Sequence, residues 1–441
     1  MSNGKEILVI GASHIDIIAQ YGSGEEQSDS YSYSELDKEG EVNFSLGGTG
    51  LIIAYRIATL PDKEYKIQFL TTVNPNTLRG KSMLKVLKKF DIDDTYCIKD
   101  NAIKEGCFVG MYNKDEKKIE SAVTQTSLET NKINDNLSKR ITDKIKEAIS
   151  KETSIVIADC NLHSKHLCDI SNKCLETKTL LFVEGVSEYK CKRLIRITKQ
   201  PNYKQPDNSH NFIISIFSCN MDEFISLVNY AKEVGIILNG ECEDLVSVFN
   251  GRNSANQDCI ASVCKKFLVE CFLIHDNNRG YLILTKDGSS SYFQLKKPKG
   301  KGVGDAIIAG AAHYYFHETK DMNLRTNFEP DFDKMNNFIY AATEDISLKI
   351  DADLLIKEDI TKMVYDDYKE VTALSTNFIK IGFFMYMILV NIACFYFVTV
   401  KALPATMLFY TFIFSGIMIA FLSRLIPPDV LIEFIKKITK I

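Results

Sequence analysis

Apolar residues fall along this chain in two alternating rhythms. Runs of strand length recur at KEILVIG (Lys5–Gly11), YKIQFLTTV (Tyr65–Val73), SIVIADC, TLLFVEG, NFIISIFS, CFLIHD and GYLILTKDG. Short continuous runs of this kind, bounded by glycine or polar residues, read as strands buried on both faces. Helical spacing lies between several of them. GKSMLKVLKKF (Gly80–Phe90) puts Met83, Leu84, Leu87 and Phe90 on one face. Ile141–Ile149 is also helical, and GGTGLIIAYRIATL (Gly47–Leu60) reads as a glycine turn running into a helix. Strands separated by helices predict a mostly parallel α/β sheet with helices on both faces. Two stretches break that rhythm. Residues 20–46 are polar and alternating, and 104–124 hold GCFVGMYN and KIESAVT around KDEK, which predicts a hairpin. Both are placed in a small β lid over the carboxyl edge of the sheet, where open α/β folds bind ligands. Pro201–Asn211 is the best surface-loop candidate, and no internal repeat is present.

Beyond residue 375 the pattern changes. IGFFMYMILVNIACFYFVTV (Ile381–Val400) and ALPATMLFYTFIFSGIMIAFLS (Ala402–Ser423) carry no charge, and each is long enough to span a hydrocarbon core. Lys401 alone is charged between them, and Pro404 suits the first turn of a second helix. A transmembrane helical hairpin is predicted over 376–426, followed by a basic tail at 427–441. Lys380, Arg424, Lys436, Lys437 and Lys440 flank it, which places both ends, and the domain at 1–375, on the cytosolic side. A hairpin buried in a soluble domain is the alternative.

Composition changes this picture little. The chain has 441 residues, 45% hydrophobic and 25% charged, with a net charge of −4, so no basic field points to nucleic acid. Its 12 cysteines are scattered, without a C-x-x-C pair or zinc spacing, and no secretory segment opens the chain. Buried, unpaired thiols in a reducing compartment are expected.

The candidate chemistry sits in KGKGVGDAIIAG (Lys299–Gly310). A phosphate loop of the G-x-x-x-x-G-K-[ST] type is excluded, because no Lys-Ser or Lys-Thr follows. Backbone N–H groups at Gly302, Val303 and Gly304 could converge on one point, reinforced by the positive end of the following helix. That is an anion hole. Asp305, just inside its rim, is placed to take a proton from an attacking hydroxyl while the hole holds a phosphoryl group. An ordinary Asp helix cap is the other reading.

This segment resembles the second signature of the ribokinase or PfkB family of sugar and nucleoside kinases, with Lys299-Gly300 in place of its leading Asp-Thr. The resemblance covers about residues 5–350 and implies a ribokinase-like fold with a lid. It implies that Asp16 in ILVIGASHIDIIA binds sugar hydroxyls, and that Gly47 and Gly48 in GGTGLIIA help position the sugar, with Ile52 standing where the family has Asn. CNMDEF resembles its N-x-x-E element, which implies Asn220 and Glu223 near Mg²⁺ and phosphates; a helix start with solvated acids is the alternative. LFVEGVSEYKCKRL resembles the pseudouridine kinase branch, through Glu184, Val186, Ser187 and Lys190, with Gly185 for Pro. Glu184 joins the metal and phosphate group on this likeness. Asp159 and Asn161 resemble its D-x-N strand end. Lys190, Asn277 and Gly280 are the implied nucleotide contacts. ATP and Mg²⁺ are the implied cofactors, with K⁺ a further cation, and a homodimer is expected.

Three functions remain at this point: an ATP-dependent kinase of pseudouridine or a related nucleoside, a kinase of another sugar or nucleoside such as ribose or adenosine, and a membrane-tethered pseudokinase. Ile52 and the replacement of a family Asp by Asn76 weigh on the acceptor end. His14, beside the first strand, has no partner at ligand spacing and is expected to be a packed or hydrogen-bonded histidine.

Overall fold

Strand β1 (Glu6–Ile10) shows how the apolar runs are used in the computed structural model. Leu8 and Ile10 face one core, Ile7 and Val9 the other. Both sides of the strand are buried, so no polar alternation is left. The described residues are 6–22, 40–104, 106–114, 118–126, 128, 135–199, 212–237, 257–276, 280–295, 302–319 and 330–344. All fall in the unit Met1–Thr361; the second unit, Lys362–Ile441, contains the predicted hairpin and tail and lies outside the described residues. The loop Pro201–Asn211 and Asn277 also lie outside them. Among the described residues no helix is long and apolar enough to cross a membrane.

After β1 come β2 (His14–Tyr21), β3 (Gly40–Gly47), β4 (Lys66–Leu70), β5 (Thr72–Val73), β6 (Ile92–Asp93) and β7 (Ile98–Lys99). Then follow β8 (Cys107–Asn113), β9 (Lys118–Gln125), β10 (Thr153–Asp159), β11 (Leu180–Glu184) and β12 (Ile214–Asn220). Strands β13 (Val269–Asp276), β14 (Gly280–Thr285) and β15 (Ser290–Gln294) close the order. The central sheet runs β15-β14-β13-β12-β11-β10-β1-β4-β6. It is parallel from β6 to β13, and only β14 and β15 turn antiparallel.

One core packs under the helices Thr49–Thr59, Leu78–Lys89, Val303–Thr319 and Phe332–Glu344. The other packs under Asp135–Ala148, Ser164–Thr177, Met221–Glu233 and Gln257–Phe267. The small residues of the Val303–Thr319 helix have a packing reason. A Cβ on Gly310 would lie 2.6 Å from the Ile339 Cα, so the Phe332–Glu344 helix crosses there at backbone distance.

A second, four-stranded sheet, β3-β2-β8-β9, takes in the segments expected to form a lid. It begins earlier than the expected residue 20. The segment from His14 leaves the first strand at Gly11 and becomes a strand of this second sheet, where His14, Ile18 and Tyr21 are buried and the residues between them stay half-buried. The register aligns Phe44, Ile17, Val109 and Val123 across all four strands. Val42, Phe44, Val109, Met111 and Val123 stay exposed. Asp16, one residue from Ile17, belongs to the opposite face.

Seven of the ten described cysteines are buried. Burial pushes the Cys97 and Cys191 thiols up to about 12, which makes them inert at neutral pH.

Candidate active site

Two glycine turns start two helices that pack against each other, Thr49–Thr59 and Val303–Thr319. The first turn is crowded. Gly48 takes a φ of 101°, and a Cβ there would lie 2.4 Å from the Ala12 carbonyl oxygen. A Cβ on Gly50 would lie 2.6 Å from the Gly11 Cα, and one on Gly47 within 2.5 Å of the Asp16 carboxylate. Asp159, at the end of β10, locks this junction. Its Oδ2 accepts from the Ala12 N–H at 2.8 Å and the Gly50 N–H at 2.9 Å, and its Oδ1 from the Asn161 N–H at 2.9 Å. Burial raises the Asp159 carboxyl, and the backbone donors work against that.

Asp16 and His14 form one unit. His14 Nε2 lies 3.0 Å from Asp16 Oδ1, and its ring stacks on Phe108 of β8. The expected packed histidine is therefore also the partner of the expected sugar-binding carboxylate. The loop before them is held by Arg79, which is fully buried. Its Nη1 donates to the Ser13 carbonyl and hydroxyl, both at 2.8 Å, and its Nη2 to the Thr72 carbonyl at 3.2 Å. Sequence reading passed over Arg79. An arginine among apolar helix positions beside a glycine was the one available signal. Asn74 keeps this edge in place, with its Nδ2 donating to the Asn101 carbonyl at 2.7 Å.

The second turn is open. Gly302 takes a φ of 90°, the left-handed region that favours glycine. Among the described residues a Cβ there would meet nothing nearer than Asp305 Oδ2 at 3.8 Å and Ile52 Cγ2 at 4.0 Å. The first-turn N–H groups of Val303, Gly304 and Asp305 have no acceptor within the helix. Asp305 itself is set deep but keeps accessible surface. Burial first, then the Asp159 charge, push its carboxyl up to about 7, while the Arg56 guanidinium works against them. Arg56 is buried on the neighbouring helix and was not anticipated from sequence. A carboxyl poised near neutral pH is matched to proton transfer.

Around Asp305 the ends of neighbouring strands gather further acids. Glu184 closes β11, is buried, and is raised well above the carboxylate range by burial and by the Asp305 and Glu223 charges. Its Oε2 is buried without a hydrogen-bond partner. Asn220 and Glu223 form a capping box at the start of the Met221–Glu233 helix: the Glu223 N–H donates to Asn220 Oδ1 at 2.8 Å and the Asn220 N–H to Glu223 Oε2 at 3.0 Å. Burial pushes Glu223 up to about 7. A Cβ on Gly185 would lie 3.0 Å from Glu223 Oε2, so a bulkier residue would crowd that carboxylate. Val186, next along, takes a φ of 72°, a strained conformation for a β-branched residue. Lys190 is buried, and its Nζ donates to Asn161 Oδ1 at 2.7 Å beside Asp159.

Among the described residues no three His, Cys, Asp or Glu side chains converge as a metal site. The orphaned Glu184 oxygen and the acids around it still suit Mg²⁺ carried in with phosphates and water, the usual way this ion is held. Of the expected nucleotide contacts, Gly280 has a sheet role: a Cβ there would lie 2.3 Å from the Phe293 carbonyl oxygen of β15.

No family model matches the sequence, and no curated protein matches it. Solved structures do. A ribokinase from Giardia lamblia matches with a TM-score of 0.53 at 14% identity, over 77% of this chain and 91% of the other. A ribokinase from Arabidopsis thaliana, complexed with ribose and ATP, matches with a TM-score of 0.51 at 14% identity, over 78% and 94%. A nucleoside kinase from Methanocaldococcus jannaschii, of the ribokinase family, matches with a TM-score of 0.50 at 14% identity, over 81% and 99%. The described fold is therefore ribokinase-like, and structures sharing it include sugar and nucleoside kinases.

Proposed function

We propose that this chain is a Mg²⁺- and ATP-dependent kinase that phosphorylates a primary hydroxyl of a sugar or nucleoside. The carrying observation is the open turn at Gly302–Gly304 with Asp305 inside it, its carboxyl raised to about 7. The acceptor hydroxyl gives its proton to Asp305 as its oxygen attacks the γ-phosphorus, and the β,γ-bridging bond breaks to leave ADP. The turn's N–H groups and the helix dipole take up charge on the transferring group. Bound Mg²⁺ would neutralise charge on the phosphate oxygens, with Glu184 and Glu223 as the candidate groups around it. Asp16, oriented by His14, accepts hydrogen bonds from acceptor hydroxyls. The lid keeps water from competing as nucleophile.

Pseudouridine is the first acceptor to test, on the likeness of the Glu184–Lys190 segment. Ile52 favours a second reading, a different sugar or nucleoside. Its methyl group lies beside Gly302 and Asp305, where a polar side chain could have met another hydroxyl. The charge-free runs at 381–400 and 402–423 would hold the enzyme at a cytosolic membrane face. The apolar outer row of the lid is the candidate surface for the expected homodimer. The experiment is transfer of labelled γ-phosphate from Mg-ATP to pseudouridine, uridine, adenosine and ribose. Transfer to one of them supports the kinase and names its acceptor. ATP binding without transfer to any acceptor or to water favours the tethered pseudokinase.

A further inference from the structure

We propose that His275 is a further phosphate-contacting residue of this site, its Nε2–H donating to the transferring phosphoryl group as it seats on the glycine turn. The inference rests on the kinase reading above. His275 stands near the carboxyl end of β13. A Cβ on Gly304 would lie 2.6 Å from its Nε2, 3.2 Å from its Cδ2 and 3.3 Å from its Cε1. Nitrogen is the nearest atom, so the imidazole tip, rather than its face, is aimed at the rim of the anion hole. Gly304 is glycine because this ring occupies the space of a side chain.

Among the described residues no hydrogen bond or ion pair reaches the ring. Its sheet neighbours are Asn220 of β12 and Tyr281 of β14. The Asn220 oxygen is taken by the helix cap, and the Tyr281 hydroxyl donates to Asn336 at 2.7 Å. Burial alone lowers the imidazole to about 4, so it is neutral at pH 7 and carries one N–H. An unpartnered donor set deep against a helix N-terminus meets the chemistry of a terminal phosphate: an anionic acceptor with several oxygens. A donor at this point adds a side-chain contact to the backbone ones, on the strand side of the turn.

The test compares binding of Mg-ATP and Mg-ADP to the full-length chain by calorimetry, because only ATP carries the transferring group. His275→Ala is expected to weaken ATP about tenfold or more and to leave ADP nearly unchanged. His275→Gln keeps an N–H at similar reach and is expected to recover most of the loss. In wild-type chain labelled at histidine Cε1, one of seven histidine signals, identified by its absence from the variants, is expected to move with ATP far more than with ADP. An unchanged ATP-to-ADP ratio in both variants overturns the assignment. So does a wild-type His275 signal that ignores saturating ATP. Failure of the wild-type chain to bind ATP at all overturns the kinase reading itself, and this assignment with it.

Discussion

The two glycine turns start neighbouring helices, yet they use glycine for opposite reasons. At Gly47, Gly48 and Gly50 a methyl group would collide with the protein itself: with Asp16, with the Ala12 carbonyl, with the Gly11 backbone. At Gly302 a methyl group would meet no described atom nearer than Asp305 Oδ2 at 3.8 Å, and glycine is needed for a φ of 90°. The first turn is filled, and its donors are spent within the protein, the Gly50 N–H on Asp159 and the Leu51 N–H on the Ala12 carbonyl. The second is unfilled among the described residues, and its first-turn donors have no acceptor within the helix. A filled turn builds structure, and an unfilled one is where a ligand can be held.

That contrast can be broken most severely at Asp159. Replacing it by Ala leaves the N–H groups of Ala12, Gly50 and Asn161 buried without acceptors. At about 1–3 kcal/mol each, the loss is expected to reach roughly 4 kcal/mol or more. Denaturant unfolding measures it. Gly50→Ala puts a methyl group onto the Gly11 backbone and is expected to cost about 3 kcal/mol, at the upper end for overpacking, by the same measurement.

Asp305→Asn has the opposite sign. The Asp305 carboxyl is raised to about 7 in the folded chain, so its ionisation opposes folding. The stability associated with its protonated form is present in full below about pH 4 and is lost as pH rises through about 7. Asn carries no charge to lose. The variant is expected to match wild type near pH 4 and to exceed it by about 2 kcal/mol above pH 7, half the full shift because Asp305 keeps accessible surface. Thermal melts across pH 4–8 would show the gap opening with pH; a gap that closes instead would reverse the assignment of its environment. Gly302→Ala is the mildest. The methyl group fits, and only the backbone conformation resists, for about 1 kcal/mol of stability by denaturant unfolding.

How much of this was legible in the sequence follows the same division. The strands of the central sheet were readable because burial on both faces leaves uninterrupted apolar runs, as in β1 and β11. The segments expected to form a lid lie in a separate four-stranded sheet, which begins earlier than expected because its first strand joins directly to the end of β1 through Gly11–Ser13. The glycine turn and Asp305 were legible because their chemistry is local, contained in four consecutive residues. Arg56, Arg79 and His275 were not. Each bears on a residue distant in sequence: Arg56 on Asp305 through its charge, Arg79 on Ser13 through hydrogen bonds, His275 on Gly304 through the space it fills. No spacing announces such pairs before the chain is folded. Asn220 and Glu223 could be read two ways; the structure shows a capping box at a helix start, with Glu223 buried rather than solvated.

The central claim is that the open turn is a phosphoryl-transfer site with Asp305 as its base. Single-turnover transfer from Mg-ATP to the acceptor found in the panel, compared between wild type and Asp305→Asn with ATP binding measured alongside, tests it most directly. The account predicts unchanged or tighter ATP binding and transfer slowed by about 10²-fold or more, as expected for removal of a general base. Transfer at the wild-type rate by the variant would contradict it.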